Sequence, residues 1–357
     1  RKTGSLQLWL AAYTTVRGWK GGRGRVRREG RFKLAVSQSC RICRGPMTSF
    51  FSSSPRRYVR RASHAGSWYT DDGKALDQQL EEWLSAVQQV PAPLQAQGSL
   101  PPPRVRAIIA PHAGYSYSGA TAAHAYTYLD PRVTKRVFIL GPSHHVHLSG
   151  CAISLATHLD TPLGQLAVDK DVVAQLMRTG KFEAMTQDVD EDEHSIEMHL
   201  PYVKKRMGDA PCSVVAIMVG ATSEAAEARY GALLAPYLRD PANFFIVSSD
   251  FCHWGARFRY QPHDAARGAV HEYIRWLDHA GMALLEAQDL GGFYAYLREH
   301  RNTICGRHPI CAFMHAVRAL TSGGSALWSV LFVRYAQSSA CTSHRDSSVS
   351  YASAVVS

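Results

Sequence analysis

Short apolar runs punctuate the chain at Val105–Ala110, Arg136–Leu140, Val214–Val219, Phe244–Val247 and Ala326–Val333. They are rich in β-branched and aromatic residues and lack the polar alternation of a half-exposed strand, which predicts strands buried on both faces. Between them apolar residues recur three and four apart. This spacing predicts helices over about Ser118–Tyr128, Asp169–Thr179, Ser223–Leu238, Ala265–Gln288 and Pro309–Leu320. One more amphipathic helix opens the body, with Asp71 or Asp72 as its cap and Leu76, Leu80, Trp83, Leu84 and Val87 on its apolar stripe. Pro91–Pro103 reads as a proline-rich loop. Apolar strands alternating with helices predict an α/β domain, with a central mixed or parallel sheet covered on both faces.

Open α/β sheets hold ligands at the carboxyl ends of their strands. Here Val105–Ala110 runs into Pro111-His112-Ala113-Gly114, Arg136–Leu140 into Gly141-Pro142-Ser143-His144-His145, and Phe244–Val247 into Ser248-Ser249-Asp250-Phe251-Cys252-His253. A fourth segment, Asn302–Pro309, places Cys305 and His308 just before a helix that Pro309 can start. One histidine in such a loop is most simply a cap in wet surroundings. Four such loops on one sheet favour a site. Histidine is the commonest metal ligand and a thiolate suits copper, zinc or iron, so two or three histidines with Cys305 can make a three-ligand site with open positions. Asp250 can ligate, or hold the ring N–H of a ligating histidine. Trp68 and Tyr69 can wall a pocket or simply pack on the core.

A second cluster, Asp190–His199, carries Glu193 and Glu197 at helical i, i+4 spacing, with His194 beside them. His194 and His199 are five apart, so the H-E-x-x-H zinc arrangement is absent. An acidic helix start favoured by the helix dipole accounts for the run at least as well as metal binding does. One of these carboxylates can still reach the site from behind a ligand. Nucleophile-elbow, P-loop and dinucleotide motifs are missing, which argues against those hydrolases and nucleotide enzymes.

Charge changes the picture only at one end. The net charge of +11 suggests a nucleic-acid or membrane-surface protein, but residues 1–61 hold 16 basic residues against one acid, and the remainder 24 against 28. The body is mildly acidic, and no nucleic-acid partner is expected. The arginine- and serine-rich start has a transit-peptide composition, which untranslated sequence read as protein also produces. Met47 opens a plausible shorter chain. The expectation is a disordered or artefactual extension over residues 1–61 and a domain over 62–357. Cys40-x-x-Cys43 is half a zinc site without a second pair. At 46% hydrophobic and 19% charged the chain is too apolar for disorder, yet no run spans a bilayer, so membrane insertion is not expected. Eight scattered cysteines read as free thiols in a reducing compartment, which points to the cytoplasm and, additionally, the nucleus.

The strings SHAGSWY (63–69), IIAPHAGYSYSG (108–119), FILGPSHHVHLSG (138–150), DEDEHSIEMHLPY (190–202), VSSDFCHWGARFRY (247–260) and NTICGRHPI (302–310) closely resemble the Memo family, mediators of ErbB-driven cell motility. YAQSS (335–339) and DSSVSYA (346–352) fit as well, so the resemblance runs from about Ser63 to the last residues. It implies a fold like that of the class III extradiol (LigB-like) non-haem iron dioxygenases. It further implies a pocket of Trp68, His112, His144, His253 and Cys305, with copper or iron on His112, His144 and Cys305. His253 and Asp250 would then serve as acid/base groups or stand behind the ligands. Cys305 takes the place of the dioxygenases' carboxylate, which argues against catechol cleavage and favours softer ions. Metal-linked oxygen reduction or copper sequestration would survive that change. The resemblance also implies a link to ErbB receptor signalling, the microtubule cytoskeleton and cell migration. The alternative to an oxidoreductase is a non-catalytic adaptor, whose pocket takes a phosphotyrosine peptide from a receptor tail. Arg257, Arg259 and Arg307 can pair with its phosphate, although ordinary surface solvation explains them more simply.

Overall fold

Four of the five apolar runs become adjacent strands of one sheet in the structure, a computed structural model that describes residues 58–87, 104–321 and 328–357. Its strands are β1 (Val59–Arg60), β2 (Ala107–Ala110), β3 (Arg136–Pro142), β4 (Cys151–Ile153), β5 (His158–Leu159), β6 (Leu166–Val168), β7 (Phe182–Ala184), β8 (Ser213–Val219), β9 (Asn243–Ser248), β10 (His253–Gly255), β11 (Val330–Gln337) and β12 (Ser347–Val356). At the centre β8, β3, β9 and β2 lie side by side, all parallel. Their side chains are buried on both faces, as an uninterrupted apolar pattern requires. Beyond β2 the antiparallel β12 continues the sheet and pairs with β11 and β10; beyond β8 come β6, β5 and β1. The sheet is therefore mixed, as expected.

Side-chain caps start several helices where the pattern changes. Asp72 accepts from the N–H groups of Lys74 and Ala75 at the head of Gly73–Ser85, Asp169 does so for Lys170–Arg178, and Ser223 for Glu224–Arg239. Leu76 and Leu80 of the first helix are fully buried, while Trp83, Leu84 and Val87 are partly buried against the same core. The helix expected over Ala265–Gln288 begins only at Val270, because Gly268 takes φ +85° and ends a separate short turn at Ala265–Arg267. Helix Leu290–His300 was not expected, and the helical reading of Asp190–His199 resolves into short separate helices, Gln187–Asp192 and His194–Glu197, followed by Leu200–Met207. Nor was β12, whose serines hide it from a hydrophobic pattern. Ser353 is buried there and donates to the Thr121 carbonyl at 2.7 Å, which meets the cost of burying a hydroxyl.

The described residues belong to one unit, and its fold takes in residues ahead of position 62. Val59 and Arg60 pair with β5, and Arg60 is wholly buried. The expectations for residues 1–57, including Cys40, Cys43 and Met47, and for the loop 91–103 lie outside the described residues. Among the described residues no helix is long and apolar enough to cross a membrane.

Candidate metal centre

Because β3, β9 and β2 are adjacent and parallel, their carboxyl ends open on one edge of the sheet. His144, Asp250 and His112 each sit two residues beyond the end of their strand. The Cys305 loop comes to the same edge, where Gly306 runs against the end of β9. A Cβ on Gly306 would lie 2.3 Å from the Ser248 carbonyl oxygen and 2.3 Å from Ser249 Cβ. The sulfur of Cys305 lies 3.2 Å from His112 Nε2 and accepts the Asp250 N–H at 3.2 Å, and the His144 ring lies 5.2 Å from that of His112. The structure thus brings His112, His144 and Cys305 together from three separate segments.

The hydrogen-bond network assigns the tautomers. Ser248 spends its one hydroxyl proton on the Ser195 carbonyl at 2.7 Å, so the 2.6 Å contact with His112 Nδ1 must be donated by the imidazole. That leaves a lone pair on His112 Nε2, facing Cys305. His144 Nδ1 meets the Glu193 carboxylate at 2.9 Å, and the same carboxylate accepts the main-chain N–H groups of His144 and Ser195. His253 Nδ1 faces two carbonyl oxygens, of Phe251 at 2.9 Å and Thr303 at 3.0 Å, so it too carries its proton there. Ser248 and Glu193 thus fix the Nδ1 edges of His112 and His144, as outer hydrogen bonds do in metal sites.

Electrostatics separates the rings. Burial drives His112 well below the ordinary histidine range, and the neighbouring His144 and His194 add to the effect. Burial also opposes a charge on His144, but the Glu193 carboxylate and the Cys305 hydrogen bond outweigh it and hold this ring well above that range. Glu193 is correspondingly held far below the usual carboxylate range, burial notwithstanding, by the charge of His144. Burial lowers His253 to about 4 and raises Asp250 to about 7, the latter against N–H bonds from His112 and Ala113. Burial raises the Cys305 thiol, and the hydrogen bond from His144 draws it part of the way back.

Asp250 does not hold an imidazole. Its Oδ1 accepts the main-chain N–H of His112 at 2.9 Å, which ties the β2 loop to the β9 loop. Trp68 is half-buried and reaches the centre indirectly, packing on His194 at 4.2 Å between ring centroids. Arg257 is exposed and lies 4.6 Å over the Phe258 ring, whose edge meets His253.

Ser248 was not picked out, His194 was passed over in favour of an acidic helix start, and Glu193 proves to be the carboxylate of that run that stands behind a ligand. One ring nitrogen from each of His112, His144 and His194 lies within 4.8 Å of the other two. The i, i+4 helical spacing of Glu193 and Glu197 is not realised. Glu193 has extended backbone (φ −83°, ψ 123°) between two short helices, so it turns to His144 while Glu197 turns to Arg60, His64 and Tyr69. Gly141 lets this segment dock on β3, since a Cβ there would lie 2.6 Å from Ser195 Oγ. The available signal was a histidine inside an acidic run too irregular for a solvent-facing helix.

Fold and cluster together define an α/β protein with a candidate metal-binding group of three imidazoles at the carboxyl edge of its sheet, the Cys305 thiol beside one of them. Residues 60–355 match the family described as Memo-like protein. Protein MEMO1 of Danio rerio is 52% identical over 301 residues, covering 84% of this chain and 97% of the relative. Protein MEMO1 of Homo sapiens is 50% identical over the same length, with the same shares covered. Protein memo-1 homolog of Caenorhabditis elegans is 41% identical over 303 residues, covering 84% and 83%. The chain belongs to the Memo-like family.

Proposed function

We propose that this protein binds a copper or iron ion on His112, His144 and Cys305, and uses it for redox chemistry or for holding the metal itself. The carrying observation is the Cys305 sulfur 3.2 Å from His112 Nε2, in a ring that clusters with His144, both rings already oriented by Ser248 and Glu193. Two imidazoles and a soft thiol suit copper and iron, and a buried imidazole with an unsatisfied nitrogen, His194, adjoins them. A bound ion would supply one-electron exchange. The remaining groups are this chain's own contribution: His253, held by its Nδ1 on the Phe251 and Thr303 carbonyls, serves as acid/base group, Asp250 anchors the His112 loop, and Trp68 packs on His194. The free state of all six described cysteines agrees with a reducing compartment, and we place the protein in the cytoplasm and nucleus.

The test is anaerobic Cu(I) titration of the full chain against a competing chelator. One ion per chain is expected, with affinity weakened in His112→Ala, His144→Ala and Cys305→Ser. Equal affinity in all four proteins overturns the assignment.

A second reading, peptide recognition, draws on the Arg257–Phe258–His253 stack, which puts an exposed guanidinium one ring away from the centre. In that reading a phosphorylated tail of an ErbB-type receptor, or its adaptor, docks there in the control of the cytoskeleton and migration. Calorimetry with a phosphotyrosine peptide should show binding lost in Arg257→Ala and Trp68→Ala. Equal, weak binding by all three proteins removes this reading.

A further inference from the structure

The ligand set of two imidazoles and a thiol leaves His194 unexplained. Its ring is buried, and both Trp68 and His144 stack on it, at 4.2 and 4.5 Å between centroids with interplanar angles of 31° and 25°. An imidazole meets a metal ion through a nitrogen at its ring edge, not through its face. That edge is unsatisfied: Nδ1 has no hydrogen-bond partner, although Glu193 Oε1 lies 3.4 Å away. Buried polar atoms are nearly always paired, so an orphan here calls for a partner from outside the chain. One nitrogen each of His112, His144 and His194 already lies within 4.8 Å of the other two. Three imidazoles holding one ion at about 2.0–2.1 Å have nitrogens roughly 3.3 Å apart, a contraction that small side-chain rotations supply.

We propose that His194 is a further nitrogen donor to the ion, so that the centre offers three imidazoles and a thiol. This rests on the metal reading above. It has a consequence that the two-imidazole set lacks. Without Cys305 the chain keeps three nitrogen donors, a set suited to Cu(II).

The test titrates Cu(II) into the full chain and into Cys305→Ser, His194→Phe, Cys305→Ser/His194→Phe and His144→Ala, with chelator competition for affinity and EPR nitrogen couplings for ligand count. Phenylalanine keeps the stacked ring and removes the nitrogens; His194→Gln serves as second variant if it does not fold, with circular dichroism as the check. Cys305→Ser is expected to show three nitrogen couplings. Adding the His194 change should leave two and weaken binding by about 10-fold or more, since groups merely behind a ligand are worth roughly 10–100-fold. If the His194 variants keep the same count and affinity while His144→Ala weakens binding, the donor assignment fails alone. If His144→Ala also binds as the unaltered chain does, the metal reading fails with it.

Discussion

Replacing Arg60 with methionine removes a guanidinium that is wholly buried and bonded on every side. Its Nη1 meets Glu197 at 2.7 Å, its Nε meets the Asp190 carboxylate at 3.2 Å and carbonyl at 3.0 Å, and its other N–H groups reach the carbonyls of Arg61 and Glu193. The substitution strands two buried carboxylates. Breaking a buried pair from one side typically costs about 3–5 kcal/mol. Summing five charge-assisted bonds would give more, but the carboxylates keep other donors: Tyr58 and Ser154 on Asp190, and His64 and Tyr69 on Glu197. The lower figure is therefore the expected one, a large share of a typical stability of roughly 5–15 kcal/mol. Urea unfolding of metal-free protein should show the midpoint falling at unchanged m-value. Arg60→Met/Glu197→Gln should recover part of the loss, because one stranded charge is gone. A chain beginning at residue 62 should lose as much as Arg60→Met, whereas one beginning at Met47 should not. A change below about 1 kcal/mol for Arg60→Met would refute the reasoning, by showing that the carboxylates were never dependent on the arginine.

Glu193→Gln should still accept the His144 N–H but without the charge, lowering Cu(I) affinity by about 10-fold in chelator competition; an unchanged affinity would show that Glu193 does not support the ligand. Gly306→Ala forces a Cβ onto the Ser248 backbone, so urea midpoints should show a loss of about 1–3 kcal/mol; a neutral effect would mean the Cys305 loop moves freely. His199 is buried, hydrogen-bonded to Tyr126, and lowered to about 3 by burial. The unfolded chain therefore takes up a proton near pH 6.5 that the folded chain refuses, and stability falls as pH drops from 6.5 toward 3, by about 1.4 kcal/mol per pH unit. His199→Gln keeps an acceptor for Tyr126 and should flatten the urea-derived stability profile between pH 6 and 4.5 by that slope; the same slope in both proteins would contradict the burial argument.

Four central strands and the long helices were legible in the sequence because each encodes its burial locally, as an apolar run or a 3–4 spacing. His112, His144, His253 and Cys305 were legible for a related reason. Parallel strands deliver whatever follows them to one edge, so loop position stood in for spatial position. β12 escaped because serines replace apolar residues, and its burial is met by hydrogen bonds to distant groups such as the Thr121 carbonyl. Arg60 carries the same lesson. In sequence it belongs to a basic tail, and only Asp190 and Glu197, about 130 residues away, make it a core residue.

The sequence by itself determined the strand pattern, the edge of the sheet where chemistry gathers and the residue types available there. Tertiary structure decided which carboxylate holds His144, which tautomer each imidazole takes, that Asp250 grips a backbone and not a ring, and that His194 joins the cluster. The physical reason is range. Periodicity and caps act within a few residues, whereas pairing a buried polar atom depends on whatever segment folds against it.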